Sequence, residues 1–266
     1  MKIGFIGAGG NIATAIISGI LKSGFESENN LRLFDPNTTK LQKYKNAVIC
    51  ENALEVANNS DYIFFTVKPQ IIFSVLDELK GKINGNQCVV SVAAGVSIES
   101  IKIALGGDVK VVRVMPNTPL LLSQGASGVS CKPPVERSEF EYVLSIFKTA
   151  GVAIECDEEQ INAVTAVSGS GPAYVFKFAK AMIEEADKLG LDADKASALA
   201  FQTLIGSAYM LRDSGMTADE LIKMVTSPKG TTLAALESFD RDDFEQTVAR
   251  AVRACHDRAV ELGRSE

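Results

Sequence analysis

Lys2-Ile3-Gly4-Phe5-Ile6-Gly7-Ala8-Gly9-Gly10-Asn11-Ile12-Ala13 passes from a short apolar run, through a cluster of glycines, into a segment with helical spacing over residues 12–22. That order opens a dinucleotide-binding βαβ unit. Gly7 and Gly9 permit a tight turn and close backbone approach to a pyrophosphate, and the helix N-terminus adds free N–H groups and a favourable dipole. Asp35 closes the next apolar run about 20 residues further on, the spacing of an acidic residue that bonds a ribose hydroxyl. A glycine turn between strand and helix also occurs without a ligand. The agreement of strand, turn, helix and acid favours the dinucleotide reading, with Gly7, Ala8, Gly9, Gly10, Asn11, Ile12, Asp35, Pro36 and Asn37 as its contacts. The loop is one residue longer than G-x-G-x-x-A. Either the turn is extended, or Ala8-x-Gly10 takes the usual glycine places. Asp35 favours NAD, because its charge repels a 2′-phosphate. Asn37, Thr38, Thr39 and Lys40 can instead donate to that phosphate, or Asn37–Thr39 can cap a helix over residues 38–45.

Outward from this stretch, apolar runs at residues 2–6, 31–34, 48–50, 62–67, 88–92 and 109–114 alternate with helical spacing at 12–22, 38–45, 70–79 and 98–105. Uniformly apolar strands separated by helices imply a mostly parallel sheet covered on both faces, a doubly wound Rossmann-like α/β domain. Beyond Pro119 the pattern loosens. Strands are expected at 126–130 and 152–156, with a helix at 135–148 between them. From Asp157 the strand signal ends. Helices are expected at 161–167, 172–189, 193–211, 217–225, 232–239 and 244–262, with Pro172 in a first turn and Gly190 and Gly215 at helix ends. The expected division is therefore 1–157 for the dinucleotide domain and 158–266 for an all-α domain. The apolar helices at 172–189 and 193–211 lack enough protein to bury against, so a subunit interface is their expected partner.

The chain has 266 residues, 46% hydrophobic and 23% charged, which is a globular composition. Its net charge of −6 argues against a general nucleic-acid or anionic-membrane surface. No apolar run is long enough for a membrane span. The N-terminus enters a strand without a basic-headed signal segment. The five cysteines, at 50, 88, 131, 156 and 255, form no CxxC pair, so a reducing, cytoplasmic location is expected, without disulfides. A single histidine, His256, nearly excludes a histidine metal site or a Ser-His-Asp triad. No metal is expected. His256 reads as a surface or helix-packing residue and Cys255 as core.

Further loops hold particular residues. Thr66-Val67-Lys68-Pro69 and Ala93-Ala94-Gly95 end strands at the carboxyl edge, where open α/β sheets bind ligands. Each is also readable as a plain helix start. In Met115-Pro116-Asn117-Thr118-Pro119, Asn117 can orient a ligand or serve as a turn residue. Ser168-Gly169-Ser170-Gly171-Pro172-Ala173-Tyr174 suits close backbone contact or a tight helix corner. Val225-Thr226-Ser227-Pro228-Lys229-Gly230-Thr231-Thr232 leads into a helix. Its hydroxyls and free N–H groups make a small anion pocket, and two adjacent threonines exceed what capping needs.

Together these motifs resemble pyrroline-5-carboxylate reductase over essentially the whole chain. The Arg113–Pro119, Ser168–Tyr174 and Val225–Thr232 stretches carry the specificity of the resemblance. The family's usual pattern is Ser-Pro-Gly-Gly-Thr-Thr; here Lys229 stands where a glycine is usual. The resemblance implies a Rossmann domain, a helical dimerisation domain, a homodimer and often a decamer. It implies reduction of 1-pyrroline-5-carboxylate to L-proline with NADPH or NADH. By position Thr232 is the threonine that bonds the ring nitrogen, with Ser227, Gly230 and Thr231 as the carboxylate loop. Asn52, Val67, Lys68, Pro69, Ala93, Ala94 and Gly95 fall at dinucleotide contacts. A cyclic imine protonates readily, so orientation suffices and no catalytic histidine is needed. A β-hydroxyacid dehydrogenase needs a lysine general acid in G-x-G-x-x-x-K. Here Ala173 and Val175 stand at that distance after Gly169 and Gly171, and Lys177 comes late. A dinucleotide-binding regulator on the same fold is the other alternative; intact Ser227, Thr231 and Thr232 argue against it.

Overall fold

The computed structural model describes residues 1–264. Two compact units divide the chain: Met1–Pro172 together with the segment from Ala254, and Ala173–Arg253. The first unit is built on one eight-stranded sheet. Its strands are β1 (Ile3–Ile6), β2 (Leu31–Phe34), β3 (Val48–Ile49), β4 (Tyr62–Phe65), β5 (Cys88–Ser91), β6 (Lys110–Met115), β7 (Gly125–Cys131) and β8 (Gly151–Glu155). They lie in the order β3-β2-β1-β4-β5-β6-β7-β8, parallel throughout except at β6–β7.

Helices cover both faces, which is why β1, β4 and β5 are apolar at nearly every position. On one face α1 (Asn11–Ser23) and α5 (Arg137–Lys148) bury Ile16, Ile17, Ile20, Phe140 and Phe147 against Phe5, Phe64, Val90 and Val112. Phe5 stacks on Phe64 at 4.7 Å between ring centroids. On the other face α2 (Ala53–Asn58), α3 (Pro69–Glu78) and α4 (Ile98–Leu105) bury Val56, Ile72, Leu76 and Ile101 against Ile6, Ile63, Phe65 and Val89. A short α6 (Ile161–Val164) follows β8 and runs into a π-turn at Thr165–Gly169.

In the second unit, α7 (Gly171–Lys188) and α8 (Ala193–Asp213) are joined by α9 (Ala218–Met224) and α10 (Thr231–Arg241). Finally, α11 (Phe244–Arg264) starts here and ends in the first unit. Only Ala179 of α7 and Ala196 and Ala200 of α8 are buried, while Phe176, Leu199, Phe201, Ile205 and Leu211 face outward. These helices have little core of their own within one chain.

The strands follow the apolar runs, and the differences are local: the segment at 38–45, the unexpected helix α2 and Cys255. The helix expected at 38–45 is one 3₁₀ turn, Thr38–Leu41, because Thr39 Oγ1 bonds Asn37 Oδ1 and two threonines favour local bonding over helix. Asn37 caps nothing with its side chain. Helix α2 lacks a periodic signal of its own at six residues, and Asn52 starts it by accepting from the Glu55 N–H at 2.9 Å. Cys255 is half-buried rather than core, with its thiol on Ser170 Oγ at 3.1 Å. His256 is partly exposed and pairs with Asp257.

Candidate functional site

Ile6 pairs with Phe34 of β2 and with Phe65 of β4, so Gly7, Asp35 and Thr66 leave the sheet at one level. Strand order reverses between β1 and β4, and a ligand crevice opens at such a point. The glycine turn is anchored there: the Gly7 and Ala8 N–H groups both donate to the Phe34 carbonyl at 2.9 Å. Gly7 has φ +87°, and a β-carbon would lie 2.9 Å from Val67 Cγ1, so the position requires glycine. A β-carbon on Gly9 would meet Asp35 Oδ2 at 2.9 Å and Lys40 Cδ at 2.8 Å. Gly10 has an ordinary φ of −75° and is the N-cap of α1. Gly7 and Gly9 thus take the two constrained places, and the extra residue is the cap.

Asp35 faces inward. Its Oδ2 accepts from the Gly9 N–H and its Oδ1 from the Asn37 N–H, each at 2.9 Å. Pro36 and Asn37 follow it on the exposed turn. Val67 lies against Gly7, and Lys68 and Pro69 start α3. Ala93, Ala94 and Gly95 leave β5, with the Ala93 N–H on Ser91 Oγ at 3.3 Å. Gly95 meets Leu262 near the end of α11. Asn52 follows β3 on the same carboxyl edge, its side-chain Oδ1 engaged in capping. Asn117 is buried. Its Oδ1 accepts from the Ala126 N–H at 2.9 Å and its Nδ2 donates to the Ser168 carbonyl at 3.0 Å, so it braces the start of β7 against the Ser168 turn.

One group escaped the reading of the sequence. Arg113 on β6 is buried, with Nη1 at 3.3 Å from Glu158 Oε1. The same oxygen accepts from the Ile98 N–H at 2.7 Å, and Oε2 takes the Lys132 ammonium at 2.7 Å. Burial pushes the Glu158 carboxyl upward, but Lys132 and the Ile98 N–H outweigh it and hold it below the usual range. Burial also lowers the Arg113 guanidinium, against the pull of Glu158. The network ties the start of α4, just after Ala93–Gly95, to the turn before α6. An arginine inside Val111-Val112-Arg113-Val114 was the available signal, since a buried cation needs a partner.

In the second unit, Ser227-Pro228-Lys229-Gly230 forms a turn closed by the Gly230 N–H on the Ser227 carbonyl at 3.0 Å. Lys229 has φ +60°. A residue after proline in such a turn is usually glycine for that reason, and a side chain there costs about 1–2 kcal/mol. Lys229 therefore holds a left-handed backbone that glycine adopts without that cost. A β-carbon on Gly230 would lie 2.5 Å from Ser227 Oγ. Gly230 is the N-cap of α10, followed by Thr231 and the half-buried Thr232.

Helix starts separate two kinds of element. Asn52, Ser97, Asp192 and Thr217 cap α2, α4, α8 and α9 with their own side chains. The starts of α1, α3, the four-residue α6 and α10 have no side-chain cap and no acid in the first turn. The first-turn N–H groups of α1 and α10 are open to an anion, a pyrophosphate at one and a carboxylate at the other. The residues of the first unit fit a dinucleotide on these grounds: a glycine cradle without room for side chains, next to an uncapped helix. Among the described residues, no helix is long and apolar enough to cross a membrane.

The chain is similar to known proteins along its length. A family model described as "Pyrroline-5-carboxylate reductase dimerisation" matches residues 158–262, and one described as "NADP oxidoreductase coenzyme F420-dependent" matches residues 2–95. A pyrroline-5-carboxylate reductase of Pseudomonas aeruginosa is 40% identical over 98% of this chain and 96% of its own length. The crystal structure of Plasmodium falciparum pyrroline carboxylate reductase with NADP bound superposes with a TM-score of 0.90 at 31% identity, covering 99% of this chain and 98% of that one. The Coxiella burnetii reductase superposes with a TM-score of 0.92 at 33% identity, covering 98% of each chain. With a doubly wound sheet, a glycine cradle and likeness along its whole length, this chain belongs to the pyrroline-5-carboxylate reductase family.

Proposed function

We infer that the chain reduces 1-pyrroline-5-carboxylate to L-proline with NAD(P)H, the closing step of proline biosynthesis. The observation that carries the reading, beside the family membership, is the pair of uncapped helix starts, α1 after the glycine turn and α10 after Ser227–Gly230. Gly7, Ala8, Gly9, Gly10, Asn11 and Ile12 hold the pyrophosphate; Asp35, Pro36, Asn37 and Asn52 line the adenosine side; Val67, Lys68, Pro69, Ala93, Ala94, Gly95 and Asn117 line the nicotinamide side. The bound nicotinamide supplies the hydride. Ser227, Gly230 and Thr231 bind the substrate carboxylate through the free N–H groups of α10 and the Ser227 hydroxyl. The Thr232 hydroxyl bonds the ring nitrogen and fixes which face of the imine is presented. The imine is basic and arrives at the step protonated. Hydride addition to the adjacent carbon then leaves a neutral amine, and no protein group gives up a proton in that step. Catalysis is chiefly orientation.

The helical domain, residues 158–266, carries the dimer contact. Exposed Phe176, Leu199, Phe201 and Ile205 support it, and a homodimer is the working unit, with a decamer as a further assembly. A monomer in sedimentation would contradict this. The protein works in the cytoplasm; fractionation with the insoluble or secreted material would contradict that. The activity is tested by incubation with 1-pyrroline-5-carboxylate and NADPH or NADH: proline must appear as the cofactor is oxidised, and its absence with both cofactors sinks the reading.

A further inference from the structure

The last part of α11 belongs to the first unit and touches two separate loops there. Cys255, Ala259 and Leu262 recur at i, i+4 and i+7, so they share one face of the helix. At one end of this stretch the Cys255 thiol donates to Ser170 Oγ at 3.1 Å, close along the chain to the Ser168 carbonyl that Asn117 holds. Ala259 is buried. Roughly 10 Å further along the helix axis, Leu262 and Gly263 come against Gly95, in the loop that leaves β5.

The contact at that end is close to main chain on main chain. Gly95 has φ +83°, and a β-carbon on it would lie 3.4 Å from Leu262 Cβ and 3.9 Å from the Gly263 nitrogen. In the other direction, a β-carbon on Gly263 would lie 3.2 Å from the Gly95 carbonyl oxygen. The two glycines face each other. A side chain at 263 must push that carbonyl away by a few tenths of an ångström. The loop cannot drift aside as a whole, because the Ala93 N–H is on Ser91 Oγ at 3.3 Å and the Ile98 N–H on Glu158 at 2.7 Å. A glycine near a helix end is commonly a left-handed cap. Gly263 is not left-handed, and α11 runs on to Arg264. Helix propensity alone would favour alanine there. What an alanine would meet is the Gly95 carbonyl.

We propose that Gly263 is a positioning residue for the cofactor: it lets α11 close on Gly95, fixes the Ala93–Gly95 loop, and through that loop sets the nicotinamide end of the bound dinucleotide. The proposal rests on the dinucleotide reading of that loop but not on the substrate.

The test compares full-length wild type with Gly263→Ala. Three ligands are titrated: NADPH, NADH, and ADP-ribose, which lacks the nicotinamide ring. The variant should melt no lower than wild type, because alanine favours helix. It should nevertheless bind NADPH and NADH more weakly, by a similar factor for each, while ADP-ribose affinity stays within about twofold. A misplacement of about 1 Å costs about a hundredfold in rate, so a few tenths should lower kcat/KM by about three- to tenfold. A helix that gains and a cofactor that loses is a split that a merely structural glycine would not give. Unchanged NADPH and NADH binding overturns the proposal, whatever the melting temperature does. An equal loss of ADP-ribose overturns it too, because the effect would then lie outside the nicotinamide end. The expected pattern in a protein that makes no proline would leave this inference standing and remove the substrate reading instead. A wild type that binds none of the three ligands would remove the dinucleotide reading, and this inference with it.

Discussion

Glu158→Gln isolates one charge in the network that holds the start of α4. The Arg113 and Glu158 side chains are 8% and 9% exposed, so solvent screens neither. Removing one partner of a buried pair costs about 3–5 kcal/mol, because the other charge stays buried. Glutamine keeps an acceptor for the Ile98 N–H, and the 3.3 Å Arg113 contact is long, so the lower end applies, about 3 kcal/mol. With a urea slope of about 2–3 kcal/mol per molar, the midpoint should fall by about 1–1.5 M. Circular dichroism and tyrosine fluorescence report it; Tyr62 and Tyr142 stack at 4.5 Å in the first unit. Adding Arg113→Met should restore much of the loss, because no buried charge remains and Lys132 is half exposed. The effect also depends on pH. A carboxyl held below its usual value stabilises the fold above about pH 4.5 and loses that contribution as pH falls through the lowered value. The gap between wild type and Glu158→Gln should therefore close in acid. A loss under about 1 kcal/mol, or a double variant weaker than Glu158→Gln, would show that Arg113 and Glu158 do not form a buried charge pair.

Two further variants address the ligand loops. Thr232→Ala should lower kcat by about tenfold to a hundredfold, the loss of one hydrogen bond to a charged group, while NADPH affinity measured by titration stays within about twofold; wild-type activity would remove the nitrogen anchor. Gly7→Ala should cost about 2–4 kcal/mol from the left-handed backbone and the Val67 overlap, whereas Gly10→Ala, with 3.3 Å to its nearest neighbour, should cost far less. Thermal melts of the two, side by side, check the order, and equal losses would contradict the assignment of Gly10 as a mere cap.

Much of this molecule is legible in the sequence because burial on both faces leaves β1, β4 and β5 as continuous apolar runs, and because the long helices carry their period. What stays hidden is short or distant. Helix α2 is too short for a period to show. At Thr38–Leu41 the helical spacing misleads, because Thr39 bonds Asn37 locally and the chain makes only a 3₁₀ turn. Which glycine is constrained depends on Val67 and Asp35, which the chain brings in from other strands. The pairing of Arg113 with Glu158, and the return of α11 to Gly95, join residues far apart along the chain, and no local pattern announces either. Of the candidate site, the sequence marks which loops leave the strands' carboxyl ends, but not the inward commitment of Asp35 or the brace made by Asn117.

In the proposed reaction the hydride passes directly to a cyclic imine in a chain without a catalytic histidine. The most direct measurement follows a deuterium label carried on the reactive carbon of the reduced nicotinamide during turnover of 1-pyrroline-5-carboxylate. L-proline should carry the label on the ring carbon beside the nitrogen, one label per cofactor oxidised. Proline without the label, or cofactor oxidation without proline, would contradict it.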